Sequence, residues 1–68
     1  MSQWSQTLQQ LNEALNKGGR YSQIKNAISL LERASTYPER HLDMALYGNG
    51  PTYRQVAAAA LATVPTGG

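Results

Sequence analysis

YGNGPTYRQVAAAALATV, residues 47 to 64, decides what kind of helical protein this chain makes. Thr52 and Gln55 match a capping box, in which the threonine side chain accepts from the backbone N–H three residues on and the glutamine reaches back. A helix is therefore expected from about Tyr53 to Val64, with Tyr53, Val56, Ala60, Leu61 and Val64 facing inward. Ahead of it, Gly48, Asn49 and Gly50 tolerate left-handed backbone angles, so they predict a stop for a preceding helix and a sharp reversal.

Working outward, TYPE at 36–39 matches a second capping box, with Thr36 as the cap and Glu39 as its partner. Pro38 falls in the first turn, where its missing N–H costs nothing. A third helix is expected to follow to about Tyr47, turning Leu42, Ala45 and Leu46 inward. Further upstream, Trp4, Leu8, Leu11 and Leu15 recur at spacings of about four, three and four, one stripe on a helix. Ser2 is the expected N-cap, Gly18-Gly19 the stop, and Glu13 precedes Lys17 at the spacing of a favourable surface pair. Tyr21, Ile24, Ile28 and Leu31 repeat the stripe over roughly 20–35, widened by Ala27, Leu30 and Ala34. A short glycine turn between two amphipathic helices makes an antiparallel hairpin. The expected fold is all-α: a small bundle of an N-terminal helical hairpin followed by two shorter helices, one domain over residues 1–68 with 65–68 a flexible tail.

Sixty-eight residues support a marginal core, because a chain this short buries only about 60% of its unfolded surface. With no cysteine, neither disulfides nor thiolate metal ligands supplement it. Good helix packing or self-association must do so. Six basic and four acidic side chains leave a net charge of +2, spread over Lys17, Arg20, Lys25, Arg33, Arg40 and Arg54. Nucleic-acid binders carry denser stripes. The amide-rich N-terminus lacks the apolar run of a signal peptide. The longest apolar run, 56–62, falls far short of the ~20 residues of a membrane span, so a cytoplasmic location and no membrane partner are expected.

The chemistry of catalysis is missing. His41 and Asp43 are two apart and do not face each other on a helix. Glu39 and Asp43, four apart, would share a helical face, but such a pair is far more often a solvated face flanked by Arg40. GNGPT lacks the lysine and spacing of a phosphate loop. The chain is expected to be no enzyme and to hold no cofactor or metal. Residues 50–62 read like the first helix of a helix-turn-helix DNA reader, yet TVPTGG follows where a polar recognition helix belongs. An alanine helix cannot itself reach base edges.

Surfaces for a partner remain. An alanine-rich helix is expected to be covered on more than one side, so Ala58, Ala59 and Ala62 are candidate homo-oligomer contacts. Helix 1 carries an amide face of Gln3, Gln6, Gln9, Gln10, Asn12 and Asn16. The two turns gather Lys17, Arg20 and Tyr21 on one side, and Tyr47, Asn49, Tyr53 and Arg54 on the other. Tyrosine and arginine are the types enriched in interface hot spots. The reading is a non-catalytic helical regulator or inhibitor, of the kind typical of bacteria and phages, that occupies a surface of a protein partner and self-associates. Alternatives are a structural subunit of a larger assembly such as a virion, a small basic nucleic-acid binder, and a sequestering protein for a phosphorylated small ligand that uses the Tyr and Arg turns, beside the orphan N–H groups of a helix N-terminus.

Overall fold

A computed structural model describes residues 2–65. The protein is a small all-α bundle in which α1 spans Gln3–Ala14, α2 Tyr21–Ala34 and α3 Tyr53–Leu61, with a single 3-10 turn at Glu39–Asp43 between the last two helices. α1 and α2 form the expected hairpin, and α3 packs against both. Ser2 caps α1, its hydroxyl accepting from the Ser5 N–H. At α3 both halves of the Thr52–Gln55 capping box are formed.

The stripes read from the sequence meet in one core. Trp4, Leu11 and Ala14 come from α1, and Ile24, Ala27, Ile28, Leu31 and Ala34 from α2. α3 adds Ala57 and Ala60, whose small side chains admit a close approach to the other helices, and Leu42 enters from the 3-10 turn. Leu8, Leu15, Tyr53, Val56, Leu61 and Val64 are half-buried around its edge. Among the described residues no polar or charged residue is buried, and no buried side-chain nitrogen or oxygen, the Trp4 indole included, lacks a hydrogen-bond partner, so none incurs the desolvation cost of an unpaired polar group.

The hairpin turn is locked onto the far end of α3. Past Ala14 the chain tightens into i→i+3 bonds, with Asn16 and Lys17 donating to the Glu13 and Ala14 carbonyls. Gly18 then takes φ +92°, the left-handed conformation that glycine adopts cheaply. Gly19 has a different role. A Cβ there would stand 2.7 Å from Ile24 Cδ1 and 2.8 Å from Thr63 Oγ1. The adjacent Arg20 N–H donates to Thr63 Oγ1 at 2.9 Å, and the Thr63 hydroxyl donates to the Ala60 carbonyl.

The third expected helix is not an α-helix. Thr36 is exposed and caps nothing, Pro38 occupies the N-cap of the 3-10 turn without a side-chain bond, and Met44 is already extended at φ −105°, ψ 144°. Ala45 then bridges Thr52 antiparallel, and Leu46 N–H donates to the Pro51 carbonyl at 3.0 Å. Gly48-Asn49-Gly50 is therefore the tip of a small hairpin and not a helix stop. The Gly50 N–H donates to the Tyr47 carbonyl, Gly48 takes φ +43° and Asn49 stays negative, the arrangement of a type II′ turn. Only Leu42 faces the core from residues 35–52, which is too little apolar surface to stabilise a short α-helix against its nucleation cost.

Three smaller differences follow. Tyr21, placed on the inward stripe of α2, is exposed because it begins the helix ahead of the packed turn. Glu13 and Lys17 form no ion pair; α1 closes at Ala14, so Lys17 lies beyond the helical register. α3 ends at Leu61 and a turn carries on to Val64. Of the expected tail, Thr66, Gly67 and Gly68 lie outside the described residues.

The two glycines predict different substitution costs. Gly19→Ala forces a methyl against three side chains and should destabilise by about 1–3 kcal/mol. Gly48→Ala meets open space, so only its backbone angle opposes it, at about 1 kcal/mol. Urea melts of both variants test the order; a Gly19→Ala as stable as wild type would contradict the close packing.

Candidate functional site

A corner of polar and aromatic contacts surrounds the N-terminus of α1. Trp4 is 2% exposed. Its indole Nε1–H donates to the Tyr37 carbonyl at 3.0 Å, and its ring meets Tyr53 edge-on, with centroids 5.6 Å apart and planes at 75°. Around it lies a polar rim. The Gln3 N–H, in the first turn of α1, donates to Glu39 Oε1 at 2.6 Å. A carboxylate there also opposes the positive end of the helix dipole. Arg54 Nε–H donates to Asp43 Oδ1 at 2.7 Å, and its Nη2 donates to Gln3 Oε1 at 2.8 Å. The hydrogen bond to Asp43, and then the charge of Asp43, raise the Arg54 pKa above its ordinary value; the guanidinium is a cation at every accessible pH.

This rim engages residues that the sequence alone left open to a partner. Tyr53 is half-buried against Trp4, and Arg54 is occupied within the chain. An anion at the α3 N-terminus would have to compete with Asp43 for Arg54. Glu39 and Asp43 do not form an isolated carboxylate pair, since each has its own partner. The His41 ring lies 5.2 Å from the Tyr37 ring. Among the described residues no group of three His, Cys, Asp or Glu side chains gathers as a metal site.

What is left outward-facing is specific. Tyr21 is 65% exposed, Tyr37 51%, Met44 48% and Tyr47 70%, and three of these four stand on the non-helical segment between α2 and α3. The Tyr47 ring rests on Gly50, where a Cβ would approach to 3.0 Å. Asn49 is exposed beside it at the hairpin tip. Tyr37 and Met44 were not singled out in the sequence, because an α-helical reading of 36–47 hides their common exposure.

The structure does not unite the two turns. Lys17, Arg20 and Tyr21 lie at the end of the bundle where Thr63 docks, whereas Tyr47, Asn49, Tyr53 and Arg54 lie at the start of α3. A nine-residue helix separates them, about 13 Å at 1.5 Å per residue. Lys17 also borders an open groove of about 430 Å³ between α1 and the end of α3, beside Glu13, Leu61 and Val64. Ala58, Ala59 and Ala62 are exposed on the outer side of α3, opposite buried Ala57 and Ala60. No helix among the described residues is long and apolar enough to cross a membrane. In comparisons with known proteins, no family model matches the chain, nor does any curated protein or solved structure.

The two tyrosines of this corner should separate on substitution. Tyr53→Ala removes a ring from the core edge and should destabilise by about 2 kcal/mol or more. Tyr47→Ala should stay within about 0.5 kcal/mol, as surface changes do. Thr52→Ala, losing its cap, should cost about 1 kcal/mol. Thermal melts decide it, and an equal loss in both tyrosine variants would refute the division.

Proposed function

We propose that the protein is a non-catalytic helical binding protein that acts by occupying a surface of a protein partner, and that it self-associates. The observation that carries the reading is the shared exposure of Tyr37, Met44 and Tyr47 on one short segment. Large aromatic and thioether side chains are enriched in interfaces and depleted on ordinary surface. None of the three adds to the core, and the backbone that carries them is held by the rim of Glu39, Gln3, Arg54 and Asp43.

Self-association is supported by α3. Its inner alanines are needed for close packing, but Ala58, Ala59 and Ala62 leave an outer strip with little to interact with water. A second copy would cover it and add to a core that is marginal at this length. Regulation or inhibition is the simplest activity for a small protein that only binds.

Two experiments test this. Pull-down from host lysate with tagged wild type and with Tyr37→Ala, Met44→Ala and Tyr47→Ala variants should show retained partner falling at least about fivefold, the hot-spot scale, with melting unchanged. Equal retention by all four proteins would remove the segment from the interface. For self-association, Ala58→Glu and Ala59→Glu place charges on an exposed face and should convert an oligomer to folded monomer in sedimentation. A wild type that sediments as a monomer at micromolar concentration would defeat that half of the reading.

A further inference from the structure

We infer that residues 36–51, between the cap of α2 at Ser35 and the cap of α3 at Thr52, form a strap over Trp4 that opens as a unit while α1, α2 and α3 stay folded. The strap is the segment assigned above to the partner, and only the consequence drawn below rests on that assignment. Leu42 is its one buried side chain; every other strap residue is exposed or half-buried. α2, by contrast, buries five residues over its length. Local opening is governed by such differences, since a segment with few buried apolar contacts and solvent-exposed hydrogen bonds opens below the global unfolding free energy.

The fastenings are few and wet. Glu39 holds the Gln3 N–H, and Asp43 holds Arg54, in bonds that are exposed at both ends. Water competes for each of them, and salt screens the ion pair. Among the described residues the one part-buried fastening is the Trp4 indole N–H on the Tyr37 carbonyl. The helices do not depend on the strap to stay together. Gly19 against Ile24, the Arg20 bond to Thr63, and the α1–α2–α3 apolar contacts all lie outside it. Opening therefore withdraws Leu42, takes the carbonyl from the indole, and lets water reach Trp4, while the helical core persists.

The consequence is a coupling. Tyr37, Met44 and Tyr47 hold their mutual arrangement only while the strap is closed, so a partner that grips them together binds the closed state better and shifts the population towards it.

Trp4 is the only tryptophan in the chain, so acrylamide quenching of its fluorescence reads the opening directly. Amide hydrogen exchange at Met44, Leu46 and Gly50, compared with Ile28 and Leu31 in α2, reads it independently. Arg54→Gln and Asp43→Asn each break the exposed pair without touching the core. Each should raise Trp4 quenching and strap exchange about twofold or more, the modest scale of an exposed ion pair, with α2 exchange unchanged. Salt at about 1 M should have the same effect on wild type and little on either variant. Strap and α2 amides rising together would mean that the strap opens only with global unfolding. Faster strap exchange with Trp4 quenching unchanged would mean that it frays without uncovering the indole. Unchanged strap exchange and quenching in both variants would mean that the pair does not fasten it. Any of the three overturns the inference. None needs a partner, so a failure of the contact surface reading would leave this result standing.

Discussion

The burial of Trp4 is the constraint on which the rest of the structure depends. An indole is the largest apolar side chain available, and burying it is worth most to a core this small. Its N–H, however, must find an acceptor once water is excluded. The acceptor is the Tyr37 carbonyl, more than thirty residues away. That single bond sets where the chain leaving α2 must pass. The edge-on contact with Tyr53 sets where α3 begins. The first turn of α1, the strap and the first turn of α3 are thereby brought to one corner, and the polar rim forms because Gln3, Glu39, Asp43 and Arg54 arrive there together.

Periodicity carried most of the fold. The stripes of Trp4, Leu11 and Ile24, Ile28, Leu31 meet as read, the glycine turn folds them into a hairpin, and Thr52 with Gln55 caps α3. Those signals are local, so sequence spacing contains them. TYPE misleads for a physical reason. A capping box is a local option, and Glu39 has a better one in the N-terminus of α1, where a free N–H and the helix dipole both favour a carboxylate. Gly48-Asn49 was legible as a two-residue hairpin turn; reading 36–47 as a helix turned the same residues into a stop. The site was less legible than the fold. That Arg54 is occupied by Asp43 and Gln3, while Tyr37 and Met44 are free, depends on the path of the strap, which no short-range pattern encodes.

The alanines of α3 illustrate how one composition serves two ends. Ala57 and Ala60 face inward, where a larger residue would push α3 away from the hairpin and lift Thr63 off the Gly19–Arg20 turn. Ala58, Ala59 and Ala62 face outward, where the same residue contributes helix propensity to a helix of nine residues. So short a helix is far below the length at which a helix is stable alone. Propensity, a full capping box and contacts with two neighbours together hold it.

A wholly apolar core explains stability but not uniqueness, because hydrophobic contacts are not directional and tolerate small shifts of register. Here the directional interactions lie at the two ends of α3. At its C-terminal end, Gly19 admits no Cβ and Thr63 accepts the Arg20 N–H, so the hairpin cannot slide along α3 without a clash or a lost bond. At its N-terminal end, the indole N–H and the Arg54 guanidinium each accept one geometry. The first end is made of close packing and a short backbone bond, and is rigid. The second is made of exposed polar bonds and one part-buried indole bond over a single buried leucine, and yields first. A molecule fixed at one end and releasable at the other has its adaptable surface where Tyr37, Met44 and Tyr47 stand, and its permanent one where the helices join.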